Sequence, residues 1–163
     1  MYTKMKRKKK LTHSLIKSFA FALAGIGTAY LRERNFRIHL ACGLIAVYAG
    51  FLFNLNRTQW IALTLTIGLV LFSELVNTAL EHLVDSFCKE ENENARIIKD
   101  IAASAVLVSS VAALVVGALI FWQPDRFGEV WQKITDAPFI SILILCASLL
   151  VVCLPKQSGK SAE

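Results

Sequence analysis

ELVNTALEHLVD, residues Glu74 to Asp85, closes an apolar run that begins at Trp60. A helix turns about 100° per residue, so Glu74, Asn77, Glu81 and Asp85 fall within roughly 80° of arc. They form one polar stripe on one helix face, with Leu75, Leu80, Leu83 and Val84 around it. A carboxylate at the centre of a bilayer costs about 2.5–3.5 kcal/mol. A row of them on a membrane helix therefore points to chemistry rather than packing.

The rest of the chain supports the membrane. Of its 163 residues 55% are hydrophobic and 18% charged, far from the balance of a water-soluble domain. The net charge is +6, but seven of the 18 basic residues lie within the first 17 positions. The excess is thus a local tail, and nothing resembles a nucleic-acid module. Cys42, Cys88, Cys146 and Cys153 show no zinc spacing and read as reduced, structural thiols.

Outward from the stripe, three parts follow. Residues 1–13 are a basic cytosolic tail, expected to be disordered and attracted to anionic headgroups. Residues 14–122 form the membrane domain, and residues 123–163 a C-terminal extension. Ser14 to Leu31 is amphipathic, with Leu15, Phe19, Leu23, Ile26 and Tyr30 at helical spacing. Its uncharged stretch is short of the roughly 20 residues of a span, so it reads as a surface helix. Leu40 to Leu55, Trp60 to about Leu83 and Ile101 to Trp122 read as three spans. Ser86 to Asp100 reads as a solvated loop, and Asp125 to Ala137 as a polar connector with Trp131 as an interface anchor. Phe139 to Leu154 is most simply a fourth span. The fold class is an all-α membrane protein: an amphipathic surface helix, three core transmembrane helices and a fourth near the C-terminus.

Basic residues cluster in the amino-terminal tail, in the 86–100 segment and at Lys156 and Lys160. The positive-inside rule puts these on the cytosolic side. Glu33, the stripe and Lys99-Asp100 then converge at one membrane surface. Acids there suit a hard divalent cation, and Mg²⁺ commonly takes one or two carboxylates plus substrate phosphates. A lysine neutralises phosphate charge, and a further carboxylate can act as base toward a hydroxyl arriving from the bilayer. An ion pathway or a scaffold fits the same residues, and the physics alone leaves both open.

The stripe, together with Glu33-Arg34-Asn35-Phe36-Arg37-Ile38-His39 and Lys99-Asp100-Ile101-Ala102-Ala103, closely resembles the prokaryotic diacylglycerol kinase family, small integral-membrane lipid kinases. The resemblance covers about Ser18 to Trp122. It implies a homotrimer with active sites shared between subunits at the cytosolic face of the bacterial cell membrane. It implies Glu74 as catalytic base, Glu33 and Glu81 as ligands of Mg²⁺, and Asn77, Asp85, Glu90, Lys99 and Asp100 at ATP. Asn35, Phe36 and Arg37 are expected to border the lipid entrance. Arg34-Asn35-Phe36 and Glu81-His82 look more like the undecaprenol kinases of this family than its diacylglycerol kinases. The extension departs from the family pattern, and His39 and His82 read as packing or headgroup contacts.

Overall fold

The structure is a computed structural model that describes residues 2–88 and 92–153, with side chains from Leu15 onward. All regular structure among these residues is helical. The helices are α1 (Tyr2–Arg32), α2 (Arg34–Leu52), α3 (Arg57–Phe87), α4 (Glu93–Phe121), α5 (Phe127–Asp136) and α6 (Pro138–Cys153), with a 3₁₀ turn at Pro124–Arg126. Glu90 and residues 154–163 lie outside the described set.

Three helices, α2, α3 and α4, are each long and apolar enough to cross a membrane. The chain is thus a multi-pass membrane protein. At 1.5 Å per residue α3 is about 46 Å long, well beyond a hydrocarbon core of about 30 Å. Counted from Trp60, α3 reaches the headgroups about 20 residues on, near residue 80. Glu74 therefore lies on the apolar side of that boundary and Asp85 on the polar side.

The α2–α3 hairpin is written in short-range chemistry. Asn54 sits at φ +49°, a left-handed conformation that asparagine tolerates better than most residues. Around it, the Leu55 amide donates to the Gly50 carbonyl (3.1 Å) and the Asn54 amide to that of Phe51 (3.3 Å). These are the two bonds of a Schellman helix end. Two residues later Asn56 caps α3: its side chain accepts from the Gln59 amide, and the Gln59 side chain accepts from the Asn56 amide, each at 3.0 Å. This capping box satisfies two donors at once. Gly50 lies so close to α3 that a Cβ there meets Trp60 Cη2 at 2.8 Å.

The main apolar cluster of buried residues sits at this hairpin end: Phe53, Leu55, Leu63, Ile120 and Val130. Val130 belongs to the extension. The connector expected over Asp125 to Ala137 is thus largely helix α5, and its two cations bond back to the end of α2. Arg126 Nη1 donates to the Phe53 carbonyl at 2.7 Å and Lys133 Nζ to the Leu52 carbonyl at 2.7 Å. They satisfy carbonyls that the end of α2 leaves open, and charge at a helix C-terminus suits its dipole.

After a 90° bend, α6 packs along α2. There Tyr48 Oη and Ser141 Oγ share a hydrogen bond of 2.6 Å. With 16 residues α6 is about 24 Å long, short of a full crossing by itself. The α5–α6 pair makes a fourth span only if the two are counted as one bent unit.

Several boundaries differ from the expectations. Helix α1 runs from Tyr2, so the basic segment expected to be disordered is helical; lysine and arginine are good helix formers and no Pro or Gly intervenes before Gly25. Helix α2 begins at Arg34 rather than Leu40, its charged first turns continuing the same helix. Helix α4 begins at Glu93, with Asn92 capping it through a 2.9 Å bond from the Asn94 amide. The expected 86–100 loop is therefore mostly helix. All four cysteines are free.

Candidate functional site

Antiparallel packing of α2, α3 and α4 brings the start of α2, the end of α3 and the start of α4 to one end of the bundle. Glu33 is the one-residue break between α1 and α2, with extended backbone at φ −102° and ψ 117°. Its amide still donates to the Ala29 carbonyl (2.8 Å), and its carbonyl accepts from the Arg37 amide (3.4 Å). The chain changes direction there without losing both helical bonds. The break frees the Glu33 side chain, which makes no capping bond and instead approaches His82 Nε2 at 3.7 Å.

Arg37 holds this junction. It is 3% exposed, and its Nη1 donates to the carbonyls of Tyr30 (3.1 Å) and Leu31 (3.3 Å) at the end of α1. Phe36 beside it is buried, whereas Asn35 is exposed. Of the three residues expected at a lipid entrance, two thus face inward and one outward.

On α3 the stripe divides by depth. Glu74 is 2% exposed, and its Oε2 has no hydrogen-bond partner among the described residues. It lies within electrostatic reach of Glu81 and Glu33. Asn77 is buried; its Nδ2 donates to Glu81 Oε1 at 2.8 Å, while its Oδ1 is unpartnered. One turn further, Asp85 accepts a hydrogen bond from Lys99 Nζ, joining α3 to α4. Asp100, the next residue on α4, is exposed and lies about 100° around the helix from Lys99.

The structure therefore brings together Glu33, Glu74, Asn77 and Glu81, with the Asp85–Lys99 pair adjoining on the same stripe. Orphaned buried oxygens are rare and call for an explanation. Unpaired oxygens of a carboxylate and an amide beside two further carboxylates fit a cation that prefers hard oxygen ligands. Among the described residues no group of three His, Cys, Asp or Glu side chains is placed to hold a metal alone. Mg²⁺ is a cation of this hard-oxygen kind and commonly takes one or two carboxylates beside phosphates.

Both His82 and Arg37 were named in the sequence, but the contacts they make were missed. His82 approaches Glu33, although its neighbour Glu81 drew attention first. Its position about 80° from Glu74 around α3 was the available signal. Arg37 acts on the backbone of α1, and no side-chain pattern announces such a bond.

A profile of the prokaryotic diacylglycerol kinase family matches residues 20–121. A protein of Synechocystis sp. named diacylglycerol kinase is 41% identical over 112 residues, covering 68% of this chain and 64% of that protein. The chain thus matches less than two thirds of that relative's length. A Bacillus subtilis protein named undecaprenol kinase is 40% identical over 105 residues, 64% of this chain and 85% of the relative. The Escherichia coli K12 diacylglycerol kinase is 26% identical over 114 residues, 70% of this chain and 92% of the relative. No solved structure is a significant match. The family match ends at residue 121 and so leaves out α5 and α6.

Proposed function

The chain belongs to the prokaryotic diacylglycerol kinase family, and on that premise we propose that it transfers the γ-phosphoryl group of ATP to the hydroxyl of a membrane lipid, undecaprenol. The observation that carries this reading is Glu74, a buried carboxylate with a free oxygen at the apolar end of a polar row. A lipid hydroxyl reaches that end from the bilayer, while a water-soluble nucleotide reaches the other.

In this mechanism Glu74 accepts the proton of the lipid hydroxyl as its oxygen attacks the γ-phosphorus. The bond from that phosphorus to the β,γ-bridging oxygen breaks, leaving ADP and a lipid phosphate. Glu33 and Glu81 are the residues to hold Mg²⁺, which supplies charge neutralisation at the phosphates. Asn77 orients Glu81 through the 2.8 Å bond already present. Lys99 turns from Asp85 to the phosphates, and Asp85 and Asp100 border the nucleotide; the family resemblance adds Glu90, which lies outside the described residues. His82 steadies Glu33. The family resemblance supports a homotrimer with shared sites. The basic residues of the first 17 positions support a cytosolic site in the bacterial cell membrane.

A second reading takes diacylglycerol as the acceptor, favoured by the name of the Synechocystis relative. The test is the full chain in nanodiscs with Mg²⁺ and γ-labelled ATP, given undecaprenol or diacylglycerol separately. Label in undecaprenol is the expected result. Label confined to diacylglycerol selects the second reading. Label in neither lipid overturns both and returns the stripe to an ion pathway or a scaffold.

A further inference from the structure

Helix α5 carries three faces where an ordinary surface helix carries two. Val130, Lys133 and Ile134 face the bundle: Val130 is buried and the other two are half-buried. Phe127 and Trp131 lie about 60° and 100° to one side of Val130. Glu129, Gln132 and Asp136 lie on the opposite side, about 100° to 160° from it. Both aromatic residues are exposed, Trp131 at 70%. Other large apolar side chains close by in the chain are exposed as well: Leu119 and Trp122 (77% exposed) on α4 and its end, and Phe139 on α6. Val130 packs in one cluster with Ile120, near the end of the spanning helix α4, so the aromatic flank lies at the level where that span ends.

Charge divides in the same way. The two cations, Arg126 and Lys133, are engaged with the α2 carbonyls, so the outer charges of the helix are the acids of the third face. Acids opposite aromatics on a helix bent 90° from a lipid-facing neighbour fit a helix lying along the boundary between hydrocarbon and water. Tryptophan favours that depth because its ring is apolar and its N–H seeks a polar partner. We propose that α5 is an interfacial helix whose Phe127–Trp131 flank docks on the lipid of the leaflet remote from the candidate site, with its acidic flank in water. Under this arrangement α5 is not part of a span, and α6 alone enters the hydrocarbon beside α2. The proposal does not depend on the kinase reading.

The test uses the full chain in phosphatidylcholine vesicles, with Trp60→Phe and Trp122→Phe leaving Trp131 as the sole tryptophan. Lipids brominated near the glycerol end of the acyl chain are expected to quench Trp131 at least twofold more strongly than lipids brominated near the methyl end. Equal or stronger quenching by the deep bromine means that α5 belongs to a bent span, and overturns the proposal. Quenching by aqueous acrylamide without quenching by either lipid puts the flank in water, and overturns it as well. If loss of Trp60 unfolds the protein, the same signal is read as the difference between the unaltered chain and Trp131→Phe. A tryptophan moved around the helix by Glu129→Trp with Trp131→Phe is expected to exchange lipid quenching for acrylamide quenching. Unchanged lipid quenching in that variant also counts against the three-faced arrangement.

Discussion

At one end of the bundle Glu74 is buried with a carboxylate oxygen that bonds to nothing described, next to two more carboxylates. At the other end Arg126 and Lys133 close the open carbonyls of α2, and Phe53, Leu55, Leu63, Ile120 and Val130 pack around the hairpin. The first end holds polar groups in surroundings that disfavour them. The second satisfies its polar groups and buries its apolar ones. Under the proposed function the contrast divides the work: the remote end holds the helices in register, and the site end accepts a local cost so that a substrate can complete it. Residues of binding and catalysis commonly tolerate such costs because the surrounding structure fixes them.

The sharpest way to break this contrast is to relieve the strain at the site. Glu74→Gln keeps the shape and removes the base and the buried charge. Lipid phosphorylation is expected to fall by about 10²–10⁴-fold, the usual contribution of a general base. Thermal stability in detergent is expected to stay level or rise, because an uncompensated buried charge is gone. A variant that loses stability along with activity makes Glu74 a structural residue. Retention of full activity removes it from the mechanism.

At the remote end the opposite signature is expected. Arg126→Met removes a charged donor from the Phe53 carbonyl, a bond of a kind worth about 1.5–3 kcal/mol. The melting temperature should fall, while the rate per folded molecule, measured well below the transition, stays within about twofold of the unaltered chain. Gly50→Ala should act in the same direction by about 1–3 kcal/mol, since its Cβ enters the space of the Trp60 ring. A loss of rate without a loss of stability in either variant contradicts the division of labour.

The two ends were not equally legible in the sequence. The Glu74–Asp85 stripe is a periodic pattern on one helix, and periodicity survives folding unchanged. Its meeting with Glu33 and Lys99 follows from counting membrane crossings, and the His82–Glu33 approach and the Lys99–Asp85 bond realise it. The remote end is different in kind. Arg126 and Lys133 look like loop charges, because their partners are backbone carbonyls 73 and 81 positions away. Helix α5 looks like a connector because its apolar residues are few and its inward face includes a lysine. Arg37 is named by the family resemblance, but its bonds to the end of α1 are unreadable for the same reason: they go to carbonyls, which every residue possesses. Sequence pattern reveals side chains that recur on a face, and it is silent about side chains that serve a distant backbone.

The smallest expected effect tests the separation most directly. Glu74 and Arg126 have different neighbours, Glu33 and Glu81 for the one and the Phe53 carbonyl for the other, and sit at opposite ends of the bundle. Changes at distant, independent sites add to within about 0.3–0.5 kcal/mol. The stability change of the double variant should therefore equal the sum of the two single changes within that margin, measured as unfolding free energy in detergent. Its residual activity should match that of Glu74→Gln alone. A coupling of 1 kcal/mol or more means that strain at Glu74 is transmitted along α3 to the hairpin. The remote end would then help to set the geometry of the carboxylates, and the contrast between a satisfied end and a strained one would describe a single mechanical unit.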